Sequence, residues 1–216
     1  DKVANLAMLE EKMWEIDNGV DLIILPEMFP TGFSMDAVEL AEPMNLNVCK
    51  WMRQMASQKN VTIAGSAIIQ VDGKYYNRLL WVSPDGMKGW KICPQVCYDL
   101  RFPVWSRNRM IDGELAYDLI FYVASWPAAR VSAWDALLPA RAIENLAYSI
   151  GVNRVAEDGN GIMYNGHSAT YDFKGNSFEF LGEEEKISII TLDREALDSY
   201  REKFPAWMDS DNFSVQ

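Results

Sequence analysis

The run VDLIILPE at residues 20–27 constrains the fold more than any other stretch of the sequence. It carries four consecutive apolar residues, Leu22 to Leu25, with no polar residue between them. A half-exposed strand alternates polar and apolar residues, so a short uninterrupted run predicts a strand that is covered on both faces. A sheet that contains such a strand needs a further layer of structure on each side.

The patterns along the rest of the chain predict those layers. Apolar residues at helical spacing predict helices over residues 5–16, 47–60, 132–147 and 194–204. Short apolar or alternating runs predict further strands over residues 61–71, 75–84, 90–97, 115–127, 148–155, 162–173 and 186–193. Asp72-Gly73-Lys74 predicts a hairpin between the first two of these strands, and Pro84 to Gly86 predicts another turn. The order predicts a single α/β domain over residues 1–216, a layered sandwich with helices outside packed sheets.

The composition argues against several classes of protein. A formal net charge of −11 argues against a nucleic-acid partner and against an anionic membrane surface, because both attract basic proteins. The longest apolar runs are far too short to span a bilayer, and no signal peptide or lipidation motif is apparent. Three cysteines cannot all pair with one another, which indicates free thiols in a reducing compartment, the cytoplasm. One histidine and one Cys-x3-Cys pair do not supply a zinc site, so we expect no metal.

Two of the three cysteines lie in the stretch CPQVCYDLRFPVWSRN, which begins at Cys93. Cys97 ends an apolar strand, and the carboxyl ends of strands are where α/β proteins collect ligands and catalytic groups. Taken alone, Cys97 is more often expected to be a buried thiol that fills core volume. Cys93 lies four residues earlier on the same predicted strand and is interpreted as core packing. A redox pair is disfavoured, because this offset separates the two residues by ~13 Å, beyond disulfide reach.

Glu27 also directly follows a buried strand. Held in a pocket near Cys97, its carboxylate would be a general base with a raised pKa, whereas at the rim it would be solvated. A cysteine–histidine pair is the commoner way to activate a thiol, but His167 is the only histidine and lies after a glycine turn. A lone histidine is more often structural, so a thiol enzyme built from this chain favours Glu27 as the base.

Four segments, in chain order, resemble the nitrilase superfamily of carbon–nitrogen hydrolases and, within it, the bacterial omega-amidases. They are LPEMFPTGFSM around Glu27, VCYDLRFPVWSRN around Cys97, YVASWPAAR, and ARAIENLAYSIGVNRVAEDGNG. The closing YREKFPAWMDSDNF is similar to the same group's C-terminal segment. The resemblance runs over nearly the whole chain.

The resemblance implies an αββα sandwich whose protomers pair through their helices into a four-layer αββααββα homodimer. It implies a Glu-Lys-Cys catalytic set in which Glu27 is the general base and Cys97 the nucleophile, with the backbone N–H of Tyr98 at the oxyanion. The reaction it implies is hydrolysis of an amide through a cysteine thioester, without metal or organic cofactor. The implied substrates are 2-oxo dicarboxylic acid monoamides such as 2-oxoglutaramate and 2-oxosuccinamate.

The sequence departs from the family at the lysine. The family carries it in a basic-aromatic segment before the cysteine strand, whereas WVSPDG is followed here almost at once by MKGWKICPQVC. Lys88 and Lys91 lie nearby, but neither matches the motif. We expect that the full protein has an opening strand before Asp1 and a loop between Gly86 and Gly89 that this sequence omits. The alternative is a degenerate member without the lysine, in which case a non-catalytic binding protein gains weight.

A substrate that carries a carboxylate needs a cation in its pocket, and a guanidinium can bind one through two hydrogen bonds. Arg101, Arg130 and Arg141 lie near the matched segments, with Arg101 preferred, although each could instead form a structural ion pair. Phe33 and Trp126 are expected to line the pocket, and they are equally suited to the core. Nitrile and carbamoylamine hydrolysis stay open, since relatives cleave those bonds with the same core residues.

Overall fold

The computed structural model of the protein describes residues 1–84 and 89–211. Its helices are α1 (Lys2–Glu15), α2 (Ala37–Leu40), α3 (Asn47–Lys59), α4 (Val131–Asn145) and α5 (Arg194–Lys203). Its strands are β1 (Leu22–Ile24), β2 (Glu42–Pro43), β3 (Thr62–Val71), β4 (Lys74–Val82), β5 (Ile92–Val96), β6 (Met110–Ile111), β7 (Glu114–Leu115), β8 (Leu119–Ala124), β9 (Tyr148–Asn153), β10 (Val155–Glu157), β11 (Met163–Asn165), β12 (Ala169–Tyr171) and β13 (Ser177–Phe180). Short 3-10 turns cover Cys97–Arg101, Ala128–Arg130 and Ala206–Asp209. Within this part of the chain, no helix is both long and apolar enough to cross a membrane.

The first sheet is built around β3. β1 and β2 pair with it in parallel, and β4 pairs with it in antiparallel through the predicted hairpin. Asp72 and Gly73 at the hairpin turn have φ of 49° and 73°, the left-handed values that a tight two-residue turn requires. Helices α1 and α3 cover the outer face, where Met13, Met52 and Met55 are buried in one apolar cluster. Burial of each such side chain stabilises the fold by about 1.5–3 kcal/mol.

The second sheet has the strand order β13-β12-β9-β8-β5, and its three strands β5, β8 and β9 are parallel. All six residues of β8 are buried. Helix α4 covers the outer face of this sheet and continues through Pro139. Gly151 in β9 allows the helix to approach closely, because a Cβ at that position would collide with Trp134 and Leu138.

The inner faces of the two sheets pack against each other. Ala64 of the first sheet shares an apolar cluster with Phe121 and Val123 of the second. The Trp81 ring on β4 stacks on Phe121, with 6.4 Å between the centroids. The layers therefore run helix, sheet, sheet, helix, which confirms the αββα prediction.

A buried carboxylate fixes the last helix to the second sheet. Asp118 has 1% of its side chain exposed and accepts hydrogen bonds from Arg194 at 2.9 Å and Arg201 at 2.7 Å. The backbone N–H of Lys91 donates to the same carboxylate. These three donors compensate for the hydration that the carboxylate loses on burial.

Several predicted strand boundaries are wrong. Residues 186–193 form no strand, because no partner strand lies beside them in the described part of the chain. Residues 162–173 divide into β11 and β12, since Gly166 and His167 both have positive φ and break the extended backbone. β8 ends at Ala124 rather than at Pro127. The turn predicted at Pro84 to Gly86, and the predicted omission between Gly86 and Gly89, fall on residues 85–88, outside the described residues.

Candidate active site

A tight turn at the end of β5 carries Cys97. The residue has a φ of 43° and begins the 3-10 turn Cys97–Arg101. A left-handed backbone at a residue other than glycine costs about 1–3 kcal/mol and is typical of functional sites. The turn is held from two sides: the Asp99 carboxylate accepts the N–H of Val96 at 2.9 Å, and the Arg141 guanidinium donates to the carbonyl of Leu100 at 2.5 Å.

Glu27 lies beyond the carboxyl end of β1, with 4% of its surface exposed. Its two carboxylate oxygens have separate donors. The Asn77 side chain on β4 donates to Oε1 at 2.6 Å, and the backbone N–H of Ser125, directly after β8, donates to Oε2 at 2.6 Å. The Cys97 thiol hydrogen-bonds to the same carboxylate. The structure thus brings Glu27 and Cys97 into contact and excludes a solvated rim position for Glu27.

Burial changes the acidity of both groups. It raises the pKa of the Glu27 carboxyl above its usual range, while the hydrogen bonds from Ser125, Cys97 and Asn77 act in the opposite direction. Burial, followed by the charge of Glu27, raises the pKa of the Cys97 thiol well above its usual range. A thiolate beside a carboxylate in a buried site is unfavourable, so the thiol keeps its proton at rest. Glu27 can accept that proton when the electron density of the sulfur moves onto an electrophile.

Arg101 is the last residue of the 3-10 turn Cys97–Arg101, which we call the nucleophile turn. Its guanidinium lies 4.8 Å from the centroid of the Trp126 ring and 5.9 Å from that of the Tyr98 ring. Trp126 is buried, and its own backbone N–H is bound by the Asn153 side chain at 2.7 Å. Stacking on a fixed ring orients a guanidinium while its N–H groups stay available for a carboxylate.

The other sequence-predicted cations differ from Arg101. Arg141 is buried, forms an ion pair with Glu144 at 2.8 Å and donates a hydrogen bond to the carbonyl of Leu100. Its guanidinium therefore has a structural role and is not available to bind a substrate carboxylate. The Arg130 side chain is exposed, and its carbonyl accepts the Trp126 indole N–H. Phe33 is half-buried in the segment after β1, and its role in the pocket stays a prediction.

The remaining thiols and the histidine have other surroundings. Cys49, Cys93 and Cys97 are all free. Cys93 packs against the apolar cluster between α4 and the second sheet, as its interpretation as core packing requires. His167 Nδ1 hydrogen-bonds to Asp135 at 3.0 Å, and its ring packs edge-on against Phe180. The histidine thus pairs with a carboxylate, whereas the thiol of Cys97 pairs with Glu27.

Asn77 and Ser125 are site residues that the sequence reasoning missed. Ser125 follows a fully buried strand, the same signal that pointed to Glu27 and Cys97, so position alone could have suggested it. Asn77 lies within the long strand β4, 50 residues from Glu27 in the sequence, and no local sequence pattern predicts the contact between the two side chains.

Comparisons with known proteins agree with this geometry. The carbon-nitrogen hydrolase family model matches residues 1–91 and 86–202. The chain is 41% identical to omega-amidase YafV of Escherichia coli strain K12, over 100% of this chain and 93% of that protein. It is 27% identical to 2-oxoglutaramate amidase of Bacillus subtilis strain 168, over 88% and 84% of the two chains. The crystal structure of XC1258 from Xanthomonas campestris, a CN-hydrolase superfamily protein, superposes with a TM-score of 0.97 at 38% identity, covering 100% of this chain and 94% of that one.

The same comparisons concern the residues just before β5, the strand that leads to Cys97. The alignment with the Escherichia coli protein runs over 249 positions and this chain has 216 residues, so at least 33 positions have no counterpart here. The two segments of the family match overlap at residues 86–91, where the sequence departs from the family's lysine motif. An omitted lysine segment at this point stays a prediction.

Proposed function

Because the chain belongs to the carbon-nitrogen hydrolase family, we propose that it is an omega-amidase, which hydrolyses the terminal amide of a 2-oxo dicarboxylic acid monoamide. The proposed substrates are 2-oxoglutaramate and 2-oxosuccinamate, and the products are the corresponding 2-oxo dicarboxylic acid and ammonia. The observation that carries the proposal is the hydrogen bond between the Cys97 thiol and the buried carboxylate of Glu27. The identity of 41% to an omega-amidase across the whole chain supports the choice of substrate class.

The chemistry begins with attack of the Cys97 sulfur on the amide carbonyl while Glu27 takes the thiol proton. The backbone N–H of Tyr98, at the second residue of the nucleophile turn, would donate to the resulting oxyanion. A preorganised donor of this kind is worth roughly 3–4 kcal/mol in comparable sites. Glu27 then returns the proton to the leaving nitrogen, the C–N bond of the tetrahedral intermediate breaks, and ammonia departs to leave the thioester on Cys97.

The second half of the reaction uses the same carboxylate. Glu27 removes a proton from water, which attacks the thioester carbonyl, and the Cys97 thiol is restored. Burial raises the pKa of Glu27 above its usual range, which makes the carboxylate a stronger base for taking up a proton in both steps. The family's lysine would add a second, cationic donor at the oxyanion from the expected omitted segment.

Arg101 is proposed to bind the substrate carboxylate. Its guanidinium stacks on Trp126 one turn from the nucleophile, and no carboxylate of the described residues forms an ion pair with it. Two N–H···O bonds to a carboxylate would fix the distance between the charged end of the substrate and the sulfur.

We also propose a homodimer in the cytoplasm. Tyr98, Phe102, Val104 and Trp105 follow the nucleophile and expose large apolar surfaces, which a protein partner would cover. Three free thiols fit a reducing compartment. Sedimentation of the purified chain would test the dimer.

Ammonia release from 2-oxoglutaramate tests the proposed function. The purified full-length protein should release ammonia, Cys97→Ala should abolish release, and the matched variant Cys93→Ala should retain it. Equal release by Cys97→Ala would exclude Cys97 as the nucleophile. A binding protein without catalysis would release none in any form, and a Cys97 thiol that is inert to alkylation would support that alternative.

A further inference from the structure

The active site contains a buried hydroxyl group, that of Ser125. Its oxygen is shielded from solvent and forms no hydrogen bond within residues 1–84 and 89–211. The residue directly follows β8, and its backbone N–H donates to the Glu27 carboxylate at 2.6 Å. A hydrogen bond from the same backbone group acts on the Cys97 thiol and opposes the rise of its pKa. The hydroxyl therefore belongs to a residue that already contacts both reacting groups.

The surroundings of the Ser125 hydroxyl limit which partner it can take. A serine side chain turns about one bond between staggered positions, so its oxygen reaches only groups that lie next to its own Cβ. The Glu27 carboxylate is such a group, because the Ser125 side chain lowers the pKa of Glu27, although less than the bound donors do. A buried hydroxyl without a partner costs free energy. The carboxylate is a strong acceptor that can remove this cost.

The resting site does not use this donor. In the described part of the chain, the Glu27 carboxylate accepts hydrogen bonds from the Asn77 side chain, the backbone N–H of Ser125 and the Cys97 thiol. The Ser125 hydroxyl stays outside hydrogen-bonding geometry. A change in the site must therefore occur before the hydroxyl and the carboxylate bind each other.

Acylation of Cys97 is such a change. The sulfur bonds to the carbonyl carbon of the substrate, and the thiol proton leaves with ammonia by way of Glu27. The sulfur of the thioester carries no proton, so the carboxylate has lost one of its donors. Glu27 must then be ionised, because it takes a proton from water while the water oxygen bonds to the carbonyl carbon; the C–S bond then breaks and the proton passes to the sulfur. A lost donor raises the pKa of a carboxylate and opposes this ionised form.

We propose that the Ser125 hydroxyl replaces the Cys97 thiol as a hydrogen-bond donor to Glu27 in the thioester, which makes Ser125 a positioning residue for the hydrolytic half of the reaction. Rotation about the Cα–Cβ bond brings the hydroxyl to the carboxylate when the sulfur is acylated. The hydroxyl turns away again when the thiol is restored. This inference rests on the proposed amidase function and adds to it a residue that acts in one of its two steps.

The test follows the two steps separately in the full-length protein with 2-oxoglutaramate. Ser125→Ala removes the hydroxyl and keeps the backbone N–H that binds Glu27. Rapid-quench measurement of ammonia reports acylation, which should stay within about twofold of the unsubstituted protein, since the hydroxyl makes no bond at rest. The mass of the quenched protein reports the thioester on Cys97, which should decay about tenfold more slowly or worse. The acid limb of that decay should move to higher pH, because the ionised form of Glu27 loses a donor.

Ser149→Ala is the matched control. Its hydroxyl oxygen is also buried and forms no hydrogen bond within the described residues. Ser149 lies beside Ile120 of β8, which is about 16 Å from Ser125 along the strand. This substitution should leave both rates and the acid limb unchanged. Neither substitution should lower Tm appreciably, since each removes a hydroxyl that has no partner in the described part of the chain.

Four results would overturn the inference while leaving the amidase function in place. They are an unchanged decay of the thioester in Ser125→Ala, an equal slowing of acylation and decay in that variant, an equal slowing of decay in Ser149→Ala, and a clear loss of Tm in Ser125→Ala alone. Absence of ammonia from the unsubstituted protein would overturn the proposed amidase function, and this inference with it.

Discussion

Glu27 and Ser125 lie 98 positions apart in the sequence and are joined by a hydrogen bond of 2.6 Å from the Ser125 backbone N–H to Oε2 of the carboxylate. The bond links the carboxyl end of a strand in the first sheet with that of a strand in the second. With Asn77 on the other oxygen, it leaves the carboxylate one orientation, in which it meets the Cys97 thiol.

Removing the side-chain donor of Asn77 should shift the pH dependence of hydrolysis. The Asn77 hydrogen bond lowers the pKa of Glu27, so Asn77→Leu should raise that pKa and move the acid limb of kcat to higher pH. Loss of a hydrogen bond to a charged group should also reduce kcat by about 10- to 100-fold, with little change in KM. The pH–rate profile measures both effects. A lower kcat with an unmoved acid limb would contradict a role of Asn77 in tuning Glu27.

Removing the charge of Glu27 should make the Cys97 thiol more acidic and the enzyme slower. The carboxylate raises the pKa of the thiol, so Glu27→Gln should lower it, while loss of the general base should reduce kcat by about 10²- to 10⁴-fold. The ultraviolet absorbance of the thiolate, titrated against pH and corrected with Cys97→Ala, reports the thiol pKa. A thiolate that forms at higher pH in Glu27→Gln would contradict the arrangement.

Arg101 should determine affinity for the substrate carboxylate. Arg101→Gln should raise KM for 2-oxoglutaramate by about 10- to 100-fold, because a charge-assisted pair of hydrogen bonds is lost. A neutral amide of the same length should be hydrolysed equally well by both forms. Arg53→Gln, an exposed substitution on α3, serves as the control for a lost positive charge. Equal effects of Arg101→Gln on the charged and neutral amides would contradict carboxylate binding.

Asp118 should stabilise the attachment of the last helix. Asp118→Ala leaves Arg201 and Arg194 without their buried partner, and breaking such a pair destabilises a protein by about 3–5 kcal/mol. Urea denaturation measures the change in the free energy of unfolding. Glu114→Ala removes an exposed ion pair with Lys91 and should leave that free energy unchanged. Equal effects of the two substitutions would show that the buried ion pairs of Asp118 stabilise the protein no more than an exposed ion pair does.

The two reactive residues could be predicted because each directly follows an apolar strand. Glu27 and Cys97 share that local signal, and the packing of the two sheets then brings the carboxyl ends of β1 and β5 together. Asn77 could not be predicted, because its contact with Glu27 depends on the register of the β3–β4 hairpin beside β1. Residues 186–193 were predicted as a strand and form none, since strand propensity describes a side-chain pattern whereas a strand needs a partner backbone.

The division of the reactive pair between the two sheets also matters before the protein is fully folded. Glu27 is brought into place by the first sheet and Cys97 by the second, so a chain in which only one sheet has formed has the thiol without its base. Such an intermediate has no general base beside the sulfur, so it cannot hydrolyse amides by the proposed mechanism. The rate at which activity recovers on refolding therefore measures the rate at which the two sheets dock, and not the rate at which either sheet forms.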